Sequence, residues 1–192
     1  MSQSLSLPDN LPIPQDDGAC AHLPGLKLPS LALATTAGST VDFSTLPGRS
    51  VIFCYPKTGV PNKTLPPEWD AIPGARGCTP QNCSFRDEHT NLLQAGVDQV
   101  FGVSTQSSDY QREARERLHL PYLLVSDEKL ALAQSLNLPT FEFDGETLIK
   151  RLTLIVDDGI ITHVLYPVFP PDKSAADTLQ WVKEHPVSPG TI

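Results

Sequence analysis

This chain is poor in several features. Only four of its 192 residues are cysteine, too few for a scaffold stapled by disulfides. Basic runs are absent: 14 Lys and Arg stand against 22 Asp and Glu, a formal net charge of −8. Nothing in such a chain neutralises a row of phosphates, which argues against nucleic acid and anionic membrane surfaces as partners. No apolar stretch approaches the roughly 18 residues that a membrane-crossing helix requires. The opening segment, Met1 to Asp9, has no basic cluster and no long apolar stretch, so no secretory leader is expected and the expected location is cytoplasmic. In that compartment cysteines are reduced, catalytic or metal-bound rather than structurally bridged. Metal ligands usually come in pairs two to four residues apart, with a second pair downstream. Cys78, Cys83 and His89 have no such second pair, and the other four histidines are scattered, so neither metal nor cofactor is expected.

What is present suits one globular domain with a sizeable core: 40% of residues are hydrophobic and 19% charged. Residues 1–25, rich in Pro, Asp, Gly and Ser, read as an N-terminal extension of at most partial order. The domain spans 26–186, and 187–192 form a C-terminal tail. Lys27 to Thr35 reads as a strand, returning through Ala37-Gly38-Ser39 into Thr40–Phe43 as a hairpin. Residues 51–55 are an uninterrupted apolar run, the pattern of a strand buried on both faces. Residues 56–77 hold five prolines and no apolar period, which predicts a long loop of the kind that often carries function. A helix is predicted from about Thr79 to Ala95, with Pro80 in its first turn, Gly96 at its end, and Phe85 and Leu92-Leu93 on the face of Cys78. Strands at 97–104 and 122–125 alternate with helices at 109–118 and 127–136. A loop covers 138–146. A hairpin turns at Asp157-Asp158-Gly159, and a helix after Ser174 closes the chain. Strands alternating with helices and then a hairpin predict an α/β fold: a mixed central sheet flanked by helices, with an N-terminal β-hairpin.

The chemistry concentrates in Gly77-Cys78-Thr79-Pro80-Gln81-Asn82-Cys83. A cysteine where a helix begins sits among unpaired backbone N–H groups at the positive end of the helix dipole, which favours thiolate. Within one helix, five residues turn the chain by about 140° and raise it by about 7.5 Å, placing the two Cα atoms roughly 8–9 Å apart. That exceeds the span of a disulfide. Either the first turns unwind when a bridge forms, or it never forms. Pro80, lacking an N–H, weakens the helix between the two.

These residues resemble the peroxiredoxin family, peroxiredoxin Q or bacterioferritin comigratory protein type. The strand ending Phe53-Cys54-Tyr55-Pro56-Lys57 is similar to that family's pattern. So are the Gly77–Asp87 segment, Gly102-Val103-Ser104, Val125-Ser126-Asp127 and Arg151–Asp157, in the same order. The resemblance implies a thioredoxin-like three-layer sandwich and a thiol-dependent peroxidase acting on hydrogen peroxide and alkyl hydroperoxides. Cys78 would be the peroxidatic cysteine and Cys83 the resolving one, forming an intramolecular disulfide that a thioredoxin-like or other thiol reductant reopens. Arg151 would stabilise the thiolate and orient the peroxide. Resolution within one chain is consistent with a monomer. The family's motif places Pro seven residues and Thr or Ser three residues before the peroxidatic cysteine. Here those positions are Ala71 and Ala75. Thr58, with Pro56 shielding the site, is one candidate for the missing hydroxyl; Thr79 or a backbone group is the other. Cys54 reads as a core residue and Cys20 as incidental.

Two other functions fit a reactive cysteine pair. A thioredoxin-type disulfide oxidoreductase needs Cys-x-x-Cys, which this chain lacks. A redox-sensing module would refold once on oxidation and change a partner surface, stopping after one equivalent of oxidant where an enzyme continues.

Overall fold

The computed structural model describes residues 6–188; residues 1–5 of the extension and 189–192 of the tail lie outside the described residues. A seven-stranded sheet forms the centre, in the order β2-β1-β5-β4-β3-β8-β9. Its middle strands are parallel: β3 (Arg49–Cys54) pairs with β4 (Gln99–Ser104), and β4 with β5 (Leu123–Ser126). The flanks are antiparallel. β1 (Leu33–Thr35) and β2 (Thr40–Val41) form the N-terminal hairpin. On the other side β8 (Leu152–Asp157) pairs with β3 and with β9 (Ile160–Leu165).

The apolar run of β3 is buried on both faces because side chains alternate along a strand. Val51, Phe53 and Tyr55 face one core, shared with the helices α2 (Cys78–Gln94) and α5 (Ser174–Glu184). Ile52 and Cys54 face the other, shared with α4 (Ala131–Ser135) and with Leu23, Leu28 and Phe43. Helices thus cover both faces of a mixed sheet, as the alternation predicts. Phe85 of α2 stacks on Phe53 of β3, ring centroids 4.1 Å apart and planes 5° off parallel. Truncating such a buried ring leaves a cavity that costs roughly 3–5 kcal/mol, so this pair fixes α2 on the sheet.

Several local expectations change. The first strand is shorter than 27–35, although Lys27 makes a lone bridge to Ile160. The fourth helix starts at Ala131 rather than Asp127. Asp127 instead stands before it and accepts from the Leu132 and Ala133 N–H groups, both at 2.9 Å, while helix α3 is Ser108–Arg117. The segment 138–146 is not all loop: β6 (Thr140–Phe143) and β7 (Glu146–Ile149) form a separate hairpin. Its rings cover Trp69 of the short helix α1 (Pro67–Asp70), with Phe143 at 5.0 Å between centroids. Trp69 is buried, so the 56–77 segment is anchored at its middle. Leu93, expected on the face of Cys78, is exposed, whereas Leu92 is buried.

The extension is more ordered than its composition suggests. Cys20 and Leu23 are buried in the main core. Asp17 accepts from the Tyr166 hydroxyl at 2.9 Å and lies 3.4 Å from Lys150 Nζ. Residues 6–25 therefore run as a strap across the body of the domain. Proline lowers the entropy lost on fixing such a segment, which its polar composition does not reveal.

Candidate active site

Helix α2 begins at Cys78. Its N-cap is Gly77, with φ of 112°, a backbone state that L side chains rarely adopt. A Cβ there would also lie 2.8 Å from Pro171 and 3.1 Å from Leu7, so glycine is required on both counts. This turn places Cys78 in the first helical position, where the backbone N–H groups are unpaired.

Cys78 is buried, and its Sγ accepts from Arg151 Nη2 at 3.4 Å. Arg151 directly precedes β8 and is itself buried at 3% exposure. The same Nη2 lies within reach of the carbonyls of Gly74, Ala75 and Arg76, at 3.2, 3.1 and 3.4 Å. One guanidinium therefore holds both the sulfur and the turn that delivers it. Arginine suits this task because its planar fork presents several fixed donors and stays charged when buried.

The sequence reading missed the residue that holds Arg151. Gln81, fully buried one turn after Cys78, accepts from Arg151 Nη1 and donates through Nε2 to Ser174 Oγ at 3.1 Å. Ser174 opens α5, so a chain of contacts links sulfur, guanidinium, amide and the second helix. Asn82 donates to the Cys78 carbonyl at 2.9 Å, and the Tyr122 hydroxyl donates to the Asn82 carbonyl at 2.7 Å. The available signal was spacing: positions three and four after a helical residue share its face.

Cys83 is buried, and no disulfide joins it to Cys78. Burial pushes the Cys83 thiol up, partly offset by the nearby positive charge of Arg86 and Arg117, while Asp87 adds to the rise. Arg86 itself pairs with Asp87 at 2.9 Å and donates to the Leu118 carbonyl. With α2 intact from Cys78 to Gln94, a bridge between the two sulfurs requires unwinding of its first turns.

The remaining candidates separate. Thr58 is buried, but its hydroxyl donates to Gln106 Oε1 at 3.3 Å and its carbonyl accepts from Tyr110 Oη at 3.0 Å. Its hydroxyl is thus engaged away from the sulfur. Pro56 is buried at the end of the β3 run. Thr79 is half-buried and, with Cys78, lines a cavity of about 410 Å³. Leu7, Lys57, Lys63, Leu65, Trp69 and Arg76 line it too, and among the described residues no carboxylate does. Arg76 pairs with Asp70 at 2.9 Å, and Lys57 with Glu146 at 2.6 Å. Leu7 comes from the extension, a contribution the sequence did not announce. Cys54 is fully buried in the core, as its strand position implies.

Comparison with known proteins identifies the family. The Redoxin family matches residues 23–179. The peroxiredoxin Bcp of Escherichia coli is 30% identical over 162 residues, covering 82% of this chain and 93% of that protein. The chloroplastic peroxiredoxin Q of rice (Oryza sativa subsp. japonica) is 28% identical over 158 residues, 81% of this chain; the match spans only 64% of the rice protein's length. Among solved structures, the peroxidoxin BcpB of Mycobacterium tuberculosis superimposes with a TM-score of 0.68 at 23% identity, over 87% of this chain and 100% of that one. The fold is shared at a level where little sequence is.

Proposed function

The chain belongs to the Redoxin family, and on that premise we propose that it is a thiol-dependent peroxidase for hydrogen peroxide and alkyl hydroperoxides. The observation that carries the reading is the Arg151 donor on Cys78 Sγ at 3.4 Å, at a helix start, with a second thiol five residues on.

The Cys78 thiolate attacks the terminal peroxide oxygen. The S–O bond forms as the O–O bond breaks, and the alkoxide or hydroxide leaves and takes up a proton. Arg151, already on the sulfur, donates to the oxygens as charge moves onto them. Backbone N–H groups of the first turn add donors, so the missing Thr or Ser before Cys78 is replaced by groups fixed in the fold. Gln81 acts as a positioning residue for Arg151. Cys78 is then a sulfenic acid. The first turns of α2 open, Cys83 attacks its sulfur, water leaves, and the two cysteines are joined. A thioredoxin-like dithiol exchanges with that bridge and restores both thiols. Every sulfur in the cycle lies in one chain, so a monomer suffices. The supply of reduced dithiol it consumes fits a cytoplasmic setting. We treat residues 26–186 as the catalytic domain.

Reduced protein given one equivalent of hydrogen peroxide, with its cysteines mapped by mass spectrometry, tests the scheme. The parent protein is expected to form a Cys78–Cys83 bridge. Cys83→Ser is expected to accumulate sulfenic or over-oxidised Cys78, and Cys78→Ser to leave the peroxide unconsumed. Sustained turnover with a dithiol separates an enzyme from a single-use sensor. Four intact thiols after minutes would overturn the proposal.

A further inference from the structure

A second cavity, of about 250 Å³, is lined by Arg151 and shares no lining residue with the Cys78 cavity. Its apolar walls include Ile72, Phe141, Pro167 and Val168, with Pro14 of the strap. Two cations line it, Lys150 and Arg151, and among the described residues no carboxylate does. Lys150 is only loosely engaged, with Asp17 at 3.4 Å and both side chains partly exposed. Arg151 is 3% exposed, and its Nη1 and Nη2 are partnered as described. Its Nε is buried and has no hydrogen-bond partner among the described residues. A buried N–H on a cation without an acceptor is costly, and Arg151 is the residue that carries it while lining this cavity. The volume falls below the ordinary range of about 300–1,000 Å³ for ligand pockets, so the occupant is small.

We propose that this cavity binds a small carboxylate with an apolar ring or branched body. The carboxylate is met by Arg151 and Lys150, and the body packs against Ile72, Phe141 and Val168. Occupancy reports to the Cys78 site, because the anion draws on the same guanidinium that holds the Cys78 sulfur. The binding stands apart from the peroxidase reading; its effect on Cys78 is a separate step.

Sodium benzoate and its neutral isostere benzamide, titrated into the reduced full chain and followed by NMR, test the binding. Benzoate is expected to saturate in the millimolar range, with shifts centred on Val168 and Ile72. Benzamide is expected to bind roughly tenfold more weakly, the loss of about one charge-assisted hydrogen bond. Lys150→Gln, a partly exposed change that keeps the fold, is expected to weaken benzoate severalfold. Val168→Trp is expected to fill the space and abolish binding. No saturable binding, equal binding of benzamide, or indifference to Lys150→Gln would overturn the site. A second arm needs no peroxide: benzoate is expected to slow alkylation of Cys78 by iodoacetamide severalfold, and Lys150→Gln to blunt that slowing. Binding with an unchanged alkylation rate would overturn the coupling to Cys78 while leaving the site. Peroxide turnover without benzoate is expected to be unchanged in Lys150→Gln, so a failure of the peroxidase reading is seen separately.

Discussion

Oxidising Cys78 and Cys83 to a disulfide should make this protein less stable, contrary to the usual effect of a cross-link. The bridge cannot form in the intact α2, so the interactions of its first turns are lost with it. Five hydrogen bonds are at stake: Gln81 N–H to the Gly77 carbonyl, Asn82 to the Cys78 carbonyl, Gln81 to Ser174, Arg151 to Gln81, and Tyr122 to the Asn82 carbonyl. At about 1 kcal/mol net each they amount to roughly 5 kcal/mol. Closing the short Cys78–Cys83 loop restricts the unfolded chain by only about 2 kcal/mol on the chain-entropy estimate. The oxidised protein is then about 3 kcal/mol less stable. For a chain of this length that lowers Tm by roughly 6–12 °C. Calorimetry on peroxide-oxidised and dithiothreitol-reduced samples measures the difference, and amide exchange locates it at residues 78–83. An oxidised form melting at or above the reduced one, with exchange at 78–83 unchanged, would refute the unwinding and with it the route to the disulfide.

Further outcomes follow from individual side chains. Gln81→Ala removes the acceptor for Arg151, a hydrogen bond to a charged group of about 1.5–3 kcal/mol, so the rate of Cys78 oxidation should fall roughly 10- to 150-fold. Gln81→Glu keeps an acceptor and should recover most of that rate; equal losses in the two variants would mean that Gln81 only packs. Burial holds the Cys83 thiol above its ordinary range, so attacking thiolate is scarce near neutrality. Stopped-flow measurement of disulfide formation should show a rate that keeps climbing into the alkaline range, and Arg86→Ala should move the profile higher; a rate independent of pH from neutrality upward would contradict the burial. Burial pushes the Cys20 thiol up to about 12 and raises Cys54 further. Iodoacetamide at pH 8 should therefore leave both unlabelled in the native protein and label all four cysteines in denaturant, as read by mass spectrometry.

The sheet was legible because its central strands are buried on both faces and read as plain apolar runs, residues 51–55 above all. The α2 start was legible to within one residue because Gly77 can take the left-handed turn before it and Pro80 suits a first helical turn. Arg151 came from resemblance, and the structure brings it to Cys78 from 73 residues away. Gln81 was invisible because a glutamine in a helix reads as solvated, and only the approach of α5 and Arg151 buries it. The β6–β7 hairpin was read as loop because Pro139, Asp144 and Gly145 break its short strands, whose partner is Trp69 rather than the main sheet. Thr58 was a reasonable candidate by residue type, but position decided otherwise: Gln106 and Tyr110 engage it first. The strap defied its composition because a segment with few apolar residues can still be held by a few well-placed ones, here Leu7, Cys20 and Leu23.

Leu7 lies against the Gly77 turn and lines the Cys78 cavity, upstream of where the Redoxin match begins. Whatever is joined ahead of it, a purification tag included, is tethered beside the reactive sulfur. A short flexible tether holds its cargo at an effective concentration in the millimolar range. A histidine- or cysteine-bearing tag placed there becomes a reagent delivered to Cys78. Kinetic constants for this protein should therefore be compared between tagged and untagged chains before the tagged set is assigned to the enzyme alone.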